Sequence, residues 1–85
     1  MRNLLALLLV LVPVYLIDAD SLMTIRSSCV VRAAGNPYIT SSGYVEIPLP
    51  PGRYVLQANC KGYQESFGLV YVPGSLTFRL KPRKV

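Results

Sequence analysis

Polar and apolar residues alternate most cleanly between Ser42 and Tyr63. In Tyr44–Leu49, Val45, Ile47 and Leu49 fall on one face of an extended chain, and Tyr44, Glu46 and Pro48 on the other. Pro48 has no backbone donor, which predicts that this strand lies at a sheet edge or that its end forms a bulge. Pro50-Pro51-Gly52 then interrupts the pattern as a type II turn would, with Gly52 supplying positive φ. Alternation resumes in Arg53–Cys60. Tyr54, Leu56, Ala58 and Cys60 share its apolar face, opposite Val55, Gln57 and Asn59. The stretch therefore predicts two consecutive strands and a tight turn.

The flanking segments extend the pattern. Ser21–Arg26 reads as a strand with Leu22, Thr24 and Arg26 on one side and Met23 and Ile25 on the other, and Ser27-Ser28 interrupts it. Cys29–Arg32 is the next strand, followed by a turn over 33–37, a short extended piece at 38–40 and a second turn at Ser41-Ser42-Gly43. After Lys61-Gly62-Tyr63 come Ser66–Val72, where Gly68 suggests a bulge, a Pro73-Gly74-Ser75 turn and Leu76–Leu80. Leu76, Phe78 and Leu80 are expected to point inward. Lys81–Val85 is a basic tail. Six to seven short strands with closely spaced turns predict an all-β fold, a small Greek-key-like sandwich.

The start of the chain reads differently. Leu4–Ile17 is a block of fourteen residues without a charge, preceded by Arg2 and closed by Asp18 and Asp20. A positive start, an apolar run and a polar exit predict an N-terminal hydrophobic helix, either a secretory signal or a retained membrane anchor. The run is shorter than the ~17–25 residues of a usual spanning helix. A buried core helix is disfavoured by the lack of a polar face. The expected organisation is a signal or anchor over residues 1–19 and a sandwich domain over residues 20–85. Export follows, to a periplasmic or extracellular location or with the N-terminal helix kept in the inner membrane. Cys29 lies too far from the apolar run to act as a lipoprotein acceptor.

Export gives the cysteines a meaning. There are two, Cys29 and Cys60, and in an oxidising compartment the default is a disulfide. Such a bridge constrains the unfolded chain by ~3–4 kcal/mol in the loop-entropy picture, which suits a domain with a thin core. Charge adds less. From Asp20 onward eight Lys or Arg face three acids, a net +5. That balance permits contact with anionic lipid or wall polymers, but it also serves solubility.

Several residues together carry a resemblance. They are Leu49-Pro50-Pro51-Gly52, then Arg53-Tyr54-Val55-Leu56, and Gly62-Tyr63 a few positions on. This order resembles the prealbumin-like β-sandwiches of the carboxypeptidase regulatory-like and PEGA domain type, over about residues 22–81. The resemblance implies an accessory binding or structural unit. Val30-Val31-Arg32 and Pro37-Tyr38-Ile39-Thr40 depart from the PEGA pattern, which usually has an Ala-x-Val strand and a Gly-x-Thr-Pro step. The physics of the motif stands without the name. Tyr54 can bury its ring while its hydroxyl reaches a backbone carbonyl, and Tyr63 can fold over the end of the sandwich.

Candidate chemistry is sparse. The chain has no His, which excludes Ser-His and Cys-His nucleophilic catalysis. Glu46 and Glu65 would have to converge in a cleft to act as a carboxylate pair. No catalytic, metal or cofactor-binding residue is expected. A nucleic-acid surface of Tyr38, Tyr44, Tyr63 and Tyr71 with Arg32, Arg53 and Lys61 is disfavoured by the export signal. The leading expectation is an exported, non-enzymatic cell-envelope module that binds a protein or a cell-wall polymer. Tyr44, Arg53 and Lys61 are its candidate contacts, and Tyr44–Leu49 is a candidate edge for strand addition. Two alternatives stand beside it. One is a small exported inhibitor, immunity or exclusion factor that occludes a receptor, channel or enzyme. The other is a membrane-active protein touching lipid through residues 3–19 and the basic tail.

Overall fold

In the computed structural model the chain forms seven strands in two packed sheets, and the structure describes residues 8–83. The strands are β1 (Val10–Asp18), β2 (Cys29–Ala33), β3 (Asn36–Thr40), β4 (Tyr44–Leu49), β5 (Gly52–Cys60), β6 (Ser66–Val72) and β7 (Leu76–Leu80). One sheet has the order β4-β1-β7, the other β3-β2-β5-β6. The expected all-β sandwich is present, with no helix among the described residues.

The largest difference from expectation lies at β1. Val10–Asp18 belongs to no helix. It is the central strand of the three-stranded sheet, antiparallel to β4 and parallel to β7. Val12, Val14 and Leu16 are fully buried, while Leu11 and Tyr15 point outward. The physical reason is in the residue types. Val10, Val12 and Val14 recur with period two, and β-branched side chains fit a pleated sheet better than a helix. Residues 4–7 of the expected helix lie outside the described residues.

Pro13 explains how an apolar run with a proline can be a central strand. β4 covers β1 from Val10 to Tyr15, whereas β7 begins to pair only at Val14. Among the described residues Pro13 therefore has a strand neighbour on one side alone, and its missing N–H leaves no gap in the ladder. Pro37 and Pro48 lie in β3 and β4, both edge strands. The edge position expected for Tyr44–Leu49 is thus observed.

Ser21–Arg26 is not a strand. Only Thr24 bridges to Ile17, and Ile25 alone is buried. The Asp18 carboxylate accounts for this: its Oδ1 accepts the backbone N–H groups of Asp20 at 2.8 Å and Ser21 at 3.0 Å, folding the chain into a turn. The turn between β2 and β3 is tighter than expected. Ala34 (φ 51°) and Gly35 (φ 82°) form its two residues, so Asn36 and Pro37 already belong to β3. At the Pro50-Pro51 corner Gly52 takes φ 152°, wider than a type II turn requires, and opens β5 directly. Gly68 makes no bulge. It pairs with Leu56 in an unbroken ladder, and a Cβ there would stand 3.0 Å from Leu76 Cδ2 and 3.1 Å from Phe78 Cε1. Its small size lets β6 approach β7 across the core.

The core is the space between the two sheets. It takes Val12, Val14 and Leu16 from β1, Ile25 from the segment after it, and Ile47 and Leu49 from β4; β2, β5, β6 and β7 supply the rest, and among the described residues no polar or charged side chain is buried. Cys29 and Cys60 stand directly opposite each other on β2 and β5 and are joined by a disulfide. Both are buried, so the bridge ties the two central strands of the four-stranded sheet from its inner face.

Candidate functional site

The outer face of the four-stranded sheet is where the surface chemistry gathers. The alternation that buries Leu56, Ala58 and Val70 turns Arg53, Val55, Gln57 and Asn59 of β5 outward, and Phe67, Leu69 and Tyr71 of β6 with them. Cross-strand register sets the neighbours: Arg53 opposite Tyr71, Val55 opposite Leu69, Gln57 opposite Phe67. The result is an apolar stripe with a guanidinium at one end. On the other flank, β2 places Val30 opposite Asn59 and Arg32 opposite Gln57. Val30, Arg32, Gln57 and Asn59 line a shallow depression of about 190 Å³. One face thus offers an apolar half and a polar, cationic half.

This arrangement suits recognition of an extended or flat partner. Arg53 and Arg32 offer planar donors for carboxylate or phosphate groups. The aromatic and aliphatic stripe offers area that water leaves readily. Glu65 lies at the margin of the same face and accepts a hydrogen bond from Gln57 Nε2 at 3.2 Å.

Tyr44, Arg53 and Lys61 are not brought together. Arg53 belongs to the face just described. Lys61 follows the far end of β5, where its carbonyl accepts a 3.0 Å hydrogen bond from Ser27 Oγ. Eight residues of extended chain separate the two, roughly 26 Å. Tyr44 is on the opposite side of the sandwich, on the outer face of β4. Its hydroxyl donates to Glu46 Oε2 at 2.6 Å, and its ring packs against Tyr15 with centroids 5.1 Å apart. The Glu46 hydrogen bond, with some desolvation and the nearby charge, pushes the Tyr44 phenol up to about 12.

The remaining tyrosines are divided between structure and surface. Tyr54 is half-buried and donates to the Pro50 carbonyl at 2.8 Å, the closure anticipated from its place after the Pro-Pro-Gly corner. Tyr63 packs against the core and donates to Asp18 Oδ2 at 2.8 Å. Tyr38 also packs against the core. Tyr71 is the tyrosine that shares a face with Arg53 and Arg32. Glu46 and Glu65 sit on opposite outer faces, so they form no carboxylate pair. Among the described residues, no three His, Cys, Asp or Glu side chains converge as a metal site would need.

Phe67, Leu69 and Val55 had no place among the expected contacts. The sequence alone did not expose them: Phe67, Leu69 and Tyr71 form the bulkier face of β6, and hydropathy would have turned that face inward over Ser66, Gly68, Val70 and Val72. No family model matches the chain, and no curated protein matches it.

Proposed function

We propose that this protein is an exported, non-enzymatic binding module of the cell envelope, and that the outer face of β2, β5 and β6 is its contact surface for a protein or a cell-wall polymer. The observation that carries the reading is the juxtaposition on one face of the Val55, Phe67, Leu69 and Tyr71 stripe with Arg53 and Arg32. Apolar area next to guanidinium groups is the composition of a protein-facing or polymer-facing surface. The buried Cys29–Cys60 bridge supports an oxidising compartment.

The prealbumin-like affiliation belongs to the same proposal. Seven strands in a three-plus-four arrangement, the Tyr54 hydroxyl on the Pro50 carbonyl and Tyr63 folded over the sandwich end all support it. Members of that group serve as accessory binding or structural units, in keeping with an exposed contact surface. A leader cut at Ala19 would remove β1, so the export reading carries with it that the mature domain keeps Val10–Asp18.

The test is retention of the purified full chain on cell-wall sacculi and, separately, on solubilised envelope proteins. Binding that falls at least tenfold in Arg53→Glu and in Phe67→Ser is the expected result. Binding to neither material, or binding indifferent to both substitutions, sinks the reading. Fractionation of the native cell tests location, and recovery in reduced form with the cytosol would remove export.

A further inference from the structure

We infer that β6 is a self-pairing edge, and that two copies of the chain join antiparallel along Ser66–Val72 into one continuous eight-stranded sheet. The pairing needs nothing from the outside partner proposed above, and it stands or falls separately.

The sandwich has four sheet edges: β4, β7, β3 and β6. Exposed edges invite pairing unless something blocks them. β4 contains Pro48, β3 contains Pro37, and β7 carries Arg79 and runs into Lys81. These are the devices that keep edges apart. β6 has none of them: Ser66–Val72 contains no charge and no proline. Among the described residues, its backbone pairs with β5 alone. Its three outward side chains are all large and exposed, Phe67 61 %, Leu69 48 % and Tyr71 60 %.

The order of those side chains singles out a second copy as the occupant. A two-fold axis at Leu69 sets Leu69 opposite the partner's Leu69. It also sets Phe67 opposite the partner's Tyr71, and Tyr71 opposite the partner's Phe67. Residues opposite each other in an antiparallel pair share a face, so all six side chains meet on the outer surface. Aromatic pairs of this kind are favourable cross-strand neighbours, and no like charges face each other. Charge agrees at the ends. Glu65 precedes β6 at one end and Arg53 stands on β5 beside Tyr71 at the other, so the axis brings each acid to the same end of the joint sheet as the partner's base, with the partner's β6 between them. A closed two-fold contact uses the same patch twice and leaves no open edge on either β6.

The inward side chains present no obstacle. Gly68 and Val70 of one copy would oppose Val70 and Gly68 of the other, small against medium, above cores that are already complete. The dimer would set the two outer faces side by side in one surface, with an Arg32–Gln57 depression on each wing.

Sedimentation of the oxidised full chain over a concentration series tests the pairing. A monomer–dimer equilibrium is expected for the natural sequence. In Leu69→Lys, which sets two positive charges opposite each other at the axis, the dimer dissociation constant should rise at least a hundredfold. Leu69 is exposed, so the fold is retained, and near-ultraviolet circular dichroism verifies it. Leu69→Cys should form a symmetric intermolecular disulfide, and Leu11→Cys on the other sheet should not. A chain that stays monomeric at every concentration overturns the proposal. So does a dimer that Leu69→Lys leaves intact.

Discussion

The Tyr63 hydroxyl donates a 2.8 Å hydrogen bond to Asp18 Oδ2, joining the end of β1 to the turn that follows β5. Asp18 spends its other oxygen on the Asp20 and Ser21 N–H groups. The Ser21 backbone bond, the Tyr63 bond and the Asp20 bond together hold the Asp18 carboxyl below its ordinary value. A carboxyl depressed in the folded state contributes stability above its unfolded pKa and loses it as pH falls through the folded one. Natural protein should therefore lose stability below about pH 4. Tyr63→Phe should lose part of that stability at neutral pH and show a shallower acid dependence. Urea midpoints from pH 7 to pH 2 check both. Asp18 in turn raises the Tyr63 phenol, chiefly by accepting its hydrogen bond, so the contribution of Tyr63 is full below its ordinary pKa and fades as pH rises through the raised one.

Removing residues 1–19 should abolish folding. The deletion takes away the middle strand of a three-stranded sheet, leaving β4 and β7 without their shared neighbour. Loss of Val12, Val14 and Leu16 alone removes roughly 5–9 kcal/mol of burial. Whole domains are stable by only ~5–15 kcal/mol. Dispersed amide signals from residues 20–85, matching those of the full chain, would show that β1 is dispensable.

Gly43 is where three segments touch. Its carbonyl accepts from the Leu16 N–H at 2.9 Å, and its φ is 77°. A Cβ there would overlap Thr24 Cγ2 and stand 2.8 Å from the Ile25 carbonyl oxygen. Gly43→Ala should cost about 2–5 kcal/mol, combining left-handed strain with overpacking. Gly35→Ala is the comparison: φ is 82° but no atom lies within 4 Å, so the cost should be only ~1–2 kcal/mol. Equal losses in thermal or urea unfolding would refute the role given to Thr24 and Ile25.

The Cys29–Cys60 bridge closes a loop with a sequence separation of 31. Replacing both cysteines by Ala should lower stability by ~3–4 kcal/mol, chiefly by freeing the unfolded chain. Because both sulfurs are buried, reductant should act on the folded protein only through opening of the sheet. Thiol trapping during incubation with reductant, with and without mild urea, measures this. Rapid reduction without urea would contradict the buried placement.

How much of this was legible in the sequence depended on contrast between faces. β4 and β5 were readable because their inward residues are apolar and their outward ones mostly are not. β1 was not, because Leu11, Pro13 and Tyr15 face outward yet are nearly as apolar as Val12, Val14 and Leu16. A uniform run cannot tell a strand from a helix by hydropathy alone. The spacing of its valines was the remaining clue. Ser21–Arg26 failed in the opposite way: it alternates, but Asp18 draws its start into a turn and only Ile25 finds a core to enter. At the candidate surface, Arg53 was legible as an outward base. The stripe beside it depended on which face of β6 would turn inward, and packing of Gly68 against Leu76 and Phe78 decided that.

The pairing of β1 with β7 has a consequence for the order in which the protein is made. Val14 to Asp18 pair in parallel with Leu76 to Leu80, and five other strands lie between them in the chain. The three-stranded sheet therefore cannot close until all of those strands have been made. β4 can join β1 earlier, but the far side of Leu16 waits for Phe78. The longest-range contact of the fold is thus the one that completes it, and contacts of this kind form slowly.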